Sequence, residues 1–372
     1  MISVPDISNH LRKIAFNEDA SAFELFEIAF AFGLLWFVVF SVAGDVLGRW
    51  SYSKQWLIES CEREYDRNTK KFLDDNGVVH TREGQIDNMR KDWPFMQVIA
   101  LQHGIGALLC VPALVNYGDP SWSASLASLA ILSEMGWELE HTIVDLIYKR
   151  YFTPNGKVRV PNIMMVVFIF HHSLSCSMGL PMILRYRNLR ALHWLSFDLQ
   201  LGGAIFEVAE YSKLLDIRKP NELRQFKICN FVLFVFMTWT RFFHWTYLCG
   251  SILLTFYRDE NWLFLAAGIV PILVFSLFNA LFMVIPFTER FVKFMYASAE
   301  YESLPEGTKR RQSLIRLEST VTDLMESTED PVMAISRRLS AKGRFKSAVN
   351  TVIASNRMKS SLSNKSDEKK KE

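Results

Sequence analysis

The chain has 372 residues, half of them hydrophobic, with 29 Phe, 10 Trp and only 22% charged side chains. Its net charge of +3 comes from basic residues gathered in short connections and the tail, which gives no ground for a nucleic-acid partner. Five cysteines (Cys61, Cys110, Cys176, Cys229, Cys249) show neither C-x-x-C nor metal spacing, so a disulfide framework and a zinc ribbon are both excluded.

Long apolar runs separated by basic loops predict an all-α, polytopic transmembrane bundle of about seven spans. The first run, Ile28 to Ala43, follows Asp6, Glu18, Asp19, Glu24 and Glu27. Secretory signals begin basic and short, so this run is expected to be a retained span, although Ser41-Val42-Ala43 resembles a cleavage site. Residues 1–48 then form an N-terminal segment with the first helix, 49–92 a charged cytosolic loop, 93–296 the membrane domain and 297–372 a cytosolic tail. Span candidates lie near 22–46, 93–117, 121–148, 160–184, 191–214, 227–256 and 261–292.

Lys and Arg set the expected orientation. Nine basic residues in 49–92, Lys149, Arg150, Lys157 and Arg159 in the third connection, and Arg218, Lys219, Arg224 and Lys227 in the fifth all become cytosolic with seven spans. The N-terminus is then lumenal and the tail cytosolic. Arg185, Arg187 and Arg190 oppose this assignment, because they fall on the far side. The loop 50–92 also carries nine acids, which marks it as a solvated, mostly helical segment.

Polar residues inside the spans are the main functional signal, because ionisable groups are costly in hydrocarbon and gather in a shared interior. Glu134, Glu138, His141 and Asp145 fall at i, i+4, i+7 and i+11, one helical stripe about 60° wide. His171 and His172 lie in the middle of the next span. Gln200, Gly203, Glu207 and Glu210 share a face of the fifth, and Arg241 and His244 are i, i+3 neighbours in the sixth. Arg241 is expected to balance one or two of the carboxylates, with His244, Glu138 and Glu210 binding substrate or serving as counter-ions. His103 and His193 read as helix–helix contacts, and Glu134 and Asp198 as acids near helix ends.

Adjacent helical histidines diverge by about 100°, which disfavours one shared metal. Glu138-x-x-His141 has the spacing of one half of a carboxylate di-iron site, but the chain holds no second copy, so no bound metal is expected. A neutral imidazole beside a buried acid is a competent general base or acyl acceptor. That chemistry suits acyl transfer to a lipid amine or hydroxyl.

In the tail, 337–372 holds eleven Lys/Arg against three acids, which fits a basic amphipathic helix on anionic lipid or a disordered, phosphorylatable segment. Arg310-Arg311-Gln312-Ser313 and Arg337-Arg338-Leu339-Ser340 suit a basophilic kinase. Lys369-Lys370-Lys371-Glu372 has the form of a dilysine retrieval signal of the endoplasmic reticulum.

The segment 93–296 resembles the TLC-domain superfamily, which includes ceramide synthases and TRAM proteins. The residues carrying the resemblance are Asp145-Leu-Ile-Tyr148, then Phe170-His171-His172-Ser173-Leu174, an acid-bearing span with Glu207, and Thr240-Arg241-Phe242-Phe243. The resemblance implies a lipid-metabolising protein of the endoplasmic reticulum with His171, His172, Glu207 and Asp145 at its site, to which the helical stripe adds His141. Membrane lipids would be its partners, acyl-CoA a co-substrate, and a homo-oligomer one form of assembly. Ceramide synthases carry further acids and a histidine before that glutamate, where this chain has Leu199, Gln200 and Gly203. A non-enzymatic membrane-composition regulator, cargo receptor or translocon accessory is therefore the alternative.

Overall fold

The structure is a computed structural model that describes residues 20–67, 81–153, 156–295 and 297–298. The chain divides into Met1–Ala299 and Glu300–Glu372. The second unit, with the kinase motifs, the basic segment and the dilysine run, lies outside the described residues.

Every described element is helical. Helix α1 (Ala22–Tyr52) opens on a capping box, in which the Glu24 N–H donates to Ser21 Oγ at 3.2 Å and the Ser21 N–H to the Glu24 carboxylate at 2.8 Å. The charged segment forms α2 (Gln55–Arg67), then α3 (Arg82–Leu114) rises into the bundle. Helix α4 starts at Pro120, capped by Asp119, and runs through Glu140, a π-helical stretch His141–Tyr148 and Lys149–Phe152. A single turn, α5 (Gly156–Arg159), leads to α6 (Asn162–Tyr186). Helix α7 (Arg190–Ala209) ends in a 3-10 turn, Glu210–Leu214. Helices α8 (Pro220–Arg258) and α9 (Trp262–Met295) each contain a π-helical stretch, Trp239–Phe243 and Asn279–Val284.

Five helices are long and apolar enough to cross a membrane: α1, α3, α6 (from Met164), α8 and α9. The remaining two long helices, α4 and α7, carry Glu134, Glu138, Glu140, Asp145, Asp198 and Glu207. They pack inward, α4 against α1, α3, α6 and α7, and α7 also against α3 and α8. Helix α9 packs on α6 and α8, and the outer faces of the five apolar helices show large side chains such as Leu34, Val46, Leu108, Val166, Leu263 and Leu273.

Small residues let the inner helices approach closely, since lipid supplies no hydrophobic drive between helices and packing must hold them. The first half of α4 is built from Ser123, Ala124, Ser125, Ala127, Ser128, Ala130 and Ser133, all buried. At Gly136 the α4 backbone touches Ala29 and Gly33 of α1, and at Gly106 the Gln200 side chain of α7 lies across α3. Two indoles add interhelical hydrogen bonds, Trp36 Nε1 to Ser133 Oγ at 3.0 Å and Trp245 Nε1 to Ser276 Oγ at 2.9 Å.

Two of the three arginines that oppose the charge rule have local structural partners. Arg190 donates to the Leu114 carbonyl at the end of α3, and Arg187 to Ser125 Oγ, both at 3.0 Å. The Arg190 bond meets one of the carbonyls that the end of α3 leaves free.

Candidate functional site

The polar interior is built where α3, α4 and α6 meet. Glu138 and His141 on α4 are 2% and 6% exposed, and His172 on α6 is 4% exposed. The rings of Trp137, His141 and His172 form a triangle with centroids 5.4, 5.1 and 5.8 Å apart, closed on one side by Phe168. Thr142 Oγ1 lies 2.7 Å from His172 Nδ1. His172 Nε2, His141 Nδ1 and the Trp137 indole N–H are all buried and make no hydrogen bond to the described protein. Such groups are exceptions in folded proteins and call for an explanation, because an unmet buried donor or acceptor costs about 1–3 kcal/mol.

The two histidines diverge as a helix requires. His172 turns to His141, whereas His171 turns to α9, stacked on Phe278 at 5.1 Å and edge-on to Phe275 at 5.2 Å. Among the described residues no three His, Cys, Asp or Glu side chains converge in a metal-binding group.

Below this triangle, Glu134 accepts from Gln102 Nε2 at 2.9 Å and pairs with His103 Nδ1 at 3.1 Å. His103 also sets its ring edge-on against Trp137 at 4.9 Å, and its other side against Gly203, where a Cβ would meet the ring at 2.3 Å. Glu134 is therefore the anchor of an α3–α4 network, not an interfacial acid. Glu138 accepts from Cys176 Sγ at 3.4 Å. His193 pairs with the Arg187 carbonyl at 2.7 Å, as a helix–helix contact would.

Asp145 lies within the π-helical stretch that begins at His141, and it pairs with Lys149 at 3.5 Å. Glu207 is half-buried on α7, and His172 Nδ1 meets Thr142. Glu210 opens the 3-10 turn that follows α7.

Arg241 does not balance a carboxylate directly. Its guanidinium donates to the Leu199 carbonyl at 2.9 Å and lies over Gly202, with no described carboxylate within ion-pair distance. The acid near it, Asp198, is 4% exposed and pairs with His244 Nδ1 at 2.5 Å. Asp198 is thus a buried partner rather than an interfacial acid, and His244 is its counterpart.

Sequence periodicity held one overlooked signal. Trp137 lies three residues after Glu134 and four before His141, on the same stripe, yet an aromatic there reads as core. Thr142, Gln102 and the Asp198–His244 pairing are tertiary and carry no such signal. Fold and site together define a helical membrane protein with a polar interior. No protein family, curated protein or solved structure matches the chain.

Proposed function

We propose that the chain is a seven-span endoplasmic reticulum protein that transfers an acyl group from acyl-CoA to a hydroxyl or amine of a membrane lipid, with His172 as the general base. The observation that carries this reading is His172 itself, sealed in the bundle, held at Nδ1 by Thr142 and unpartnered at Nε2. With Nδ1–H donating to Thr142, the Nε2 lone pair takes the acceptor's proton. The acceptor oxygen or nitrogen then bonds to the thioester carbonyl carbon. Collapse breaks the C–S bond, and the thiolate leaves as the thiol with the proton from the imidazolium. The Trp137 N–H, unpartnered beside it, is a donor for the developing oxyanion.

Seven spans rather than five follow if α4 and α7, shielded by their neighbours, cross with the rest. Cytosolic placement of the tail then agrees with the dilysine run at 369–371.

One observation favours a non-catalytic lipid regulator instead. Leu199 and Gln200, which stand where ceramide synthases have site residues, serve here in packing, through the bond to Arg241 and the contact with Gly106.

The two readings separate in purified protein reconstituted in nanodiscs with acyl-CoA and lipid extract. Transfer should release free thiol, and His172→Ala should reduce it about 10²–10⁴-fold, the usual range for a general base. Thr142→Val should reduce it less, with unchanged melting temperature. Wild-type turnover by His172→Ala overturns the catalytic reading.

A further inference from the structure

A second acid-oriented imidazole stands apart from the His141–His172 group. Asp198 on α7 holds Nδ1 of His244 on α8 at 2.5 Å, and His244 shares no ring contact or hydrogen bond with the first group among the described residues. The π-helical stretch Trp239–Phe243 brings Trp239 into line with His244, five residues on, where the rings stack at 5.8 Å. Tyr247 stacks on His244 at 6.1 Å and Trp194 meets it edge-on at 5.4 Å.

His244 differs from His172 in where its free nitrogen points. Nδ1 is taken by Asp198, and Nε2 has no partner among the described residues yet is not among the sealed atoms, unlike Nε2 of His172. Around it Trp239 and Tyr247 are 57% and 68% exposed on the outer face of α8. His244 is 17 residues from Lys227 and 14 from Arg258, the charges flanking this apolar stretch, or about 20–25 Å of helix either way. An acceptor nitrogen therefore opens sideways onto hydrocarbon, deep in the membrane.

We propose that the Asp198–His244 pair, with Trp239 and Tyr247, binds an uncharged lipid whose polar head is a single hydroxyl, entering laterally from the bilayer. The hydroxyl donates to His244 Nε2, while Asp198 fixes the tautomer that leaves this lone pair outward. The aromatic faces lie along the acyl chain or ring system. Depth selects the class: a zwitterionic or phosphorylated head would have to leave the interface at large cost, whereas one hydroxyl loses little once hydrogen-bonded. The site stands whether or not His172 performs chemistry.

The test is photo-crosslinking of the full chain in nanodiscs with a diazirine-labelled diacylglycerol, followed by peptide mapping. Label should fall on peptides spanning Trp239–Tyr247. Excess unlabelled diacylglycerol should compete for it, whereas the same lipid with its hydroxyl methylated should compete about tenfold less well, the weight of one hydrogen bond. Competition by a sterol at equal potency would assign the site to the hydroxyl alone, and its failure would assign it to the diacyl form. His244→Phe should reduce labelling about tenfold and His172→Phe should not. Equal competition by the methylated lipid, which requires no variant to fold, overturns the proposal. So does unchanged labelling of a folded His244→Phe protein.

Discussion

Replacing Gly136 by alanine should loosen the bundle where α1 and α4 touch backbone to backbone. A Cβ there would lie 2.4 Å from the Ala29 carbonyl oxygen, 2.6 Å from Phe32 Cβ and 2.7 Å from Gly33 N, against at least 3.4 Å for ordinary contact. Two of these three atoms are main-chain, so no side chain can swing away from them. The helices must part by about 1 Å. Overpacking of this kind costs about 1–3 kcal/mol, and rigid neighbours put Gly136→Ala in the upper half of that range. At roughly 2–4 °C per kcal/mol, the apparent melting temperature in detergent should fall by roughly 4–12 °C. Gly33→Ala, whose Cβ would stand 3.0 Å from the Gly136 carbonyl oxygen, should lose about a third as much. Gly44→Ala is the control, because nothing lies within 4 Å of its new methyl. If Gly136→Ala melts within a degree of Gly44→Ala, the close approach of α1 and α4 is wrong, and with it the placement of Trp137.

Glu134→Ala should cost about 2–4 kcal/mol, since it leaves the buried Gln102 amide and His103 without their acceptor, and Glu134→Gln should recover about half in the same melting assay. In the loop between α7 and α8, the Arg218 guanidinium and backbone N–H hold the Asp216 carboxyl below its ordinary range. Because the folded value is the lower one, the contact is fully present above the unfolded pKa and is lost only as pH falls through the folded one. Protection against hydrogen exchange around Asp216–Lys219, relative to the free-chain rate at each pH, should therefore be flat from pH 7 to 5 and fall below about pH 4, a step that Asp216→Asn removes. A constant profile into acid would deny the pairing. Single cysteines at Lys219 and Glu260 should react with an impermeant maleimide from opposite sides of sealed microsomes, Lys219 from the cytosolic side; labelling from one side would break the seven-span topology.

Much of this architecture is legible in the chain because two signals are local. Apolar runs place most helix ends within a few residues, although α3 starts at Arg82 rather than 93 and α8 at Pro220 rather than 227, and i, i+3 spacing places Glu138 and His141 on one face. Local arithmetic fails where the backbone changes pitch. A π-helical stretch begins at His141, and a 3-10 turn follows α7 at Glu210, so the 100° step does not run on through either. It also fails for pairs set by packing: Asp198 and His244 are 46 residues apart, and only the docking of α7 on α8 brings the acid to His244 rather than to Arg241.

The contrast between the polar helices and the five apolar ones bears on how the protein is made. Helix α4 alone carries Glu134, Glu138, Glu140 and Asp145, and at roughly 2.5–3.5 kcal/mol for each acid it has no stable place among lipids as a lone segment. If α4 crosses with the rest, as the seven-span proposal requires, its carboxylates and imidazoles can enter the bilayer only in the company of other helices. Chain order supplies that company, since α1 and α3 emerge before α4, and α3, α4 and α6 emerge before α7. Helix α4 thus arrives after two of its four neighbours, and α7 after α3 and α4. A chain with α1 deleted should therefore fail at insertion of α4, long before any question of catalysis arises.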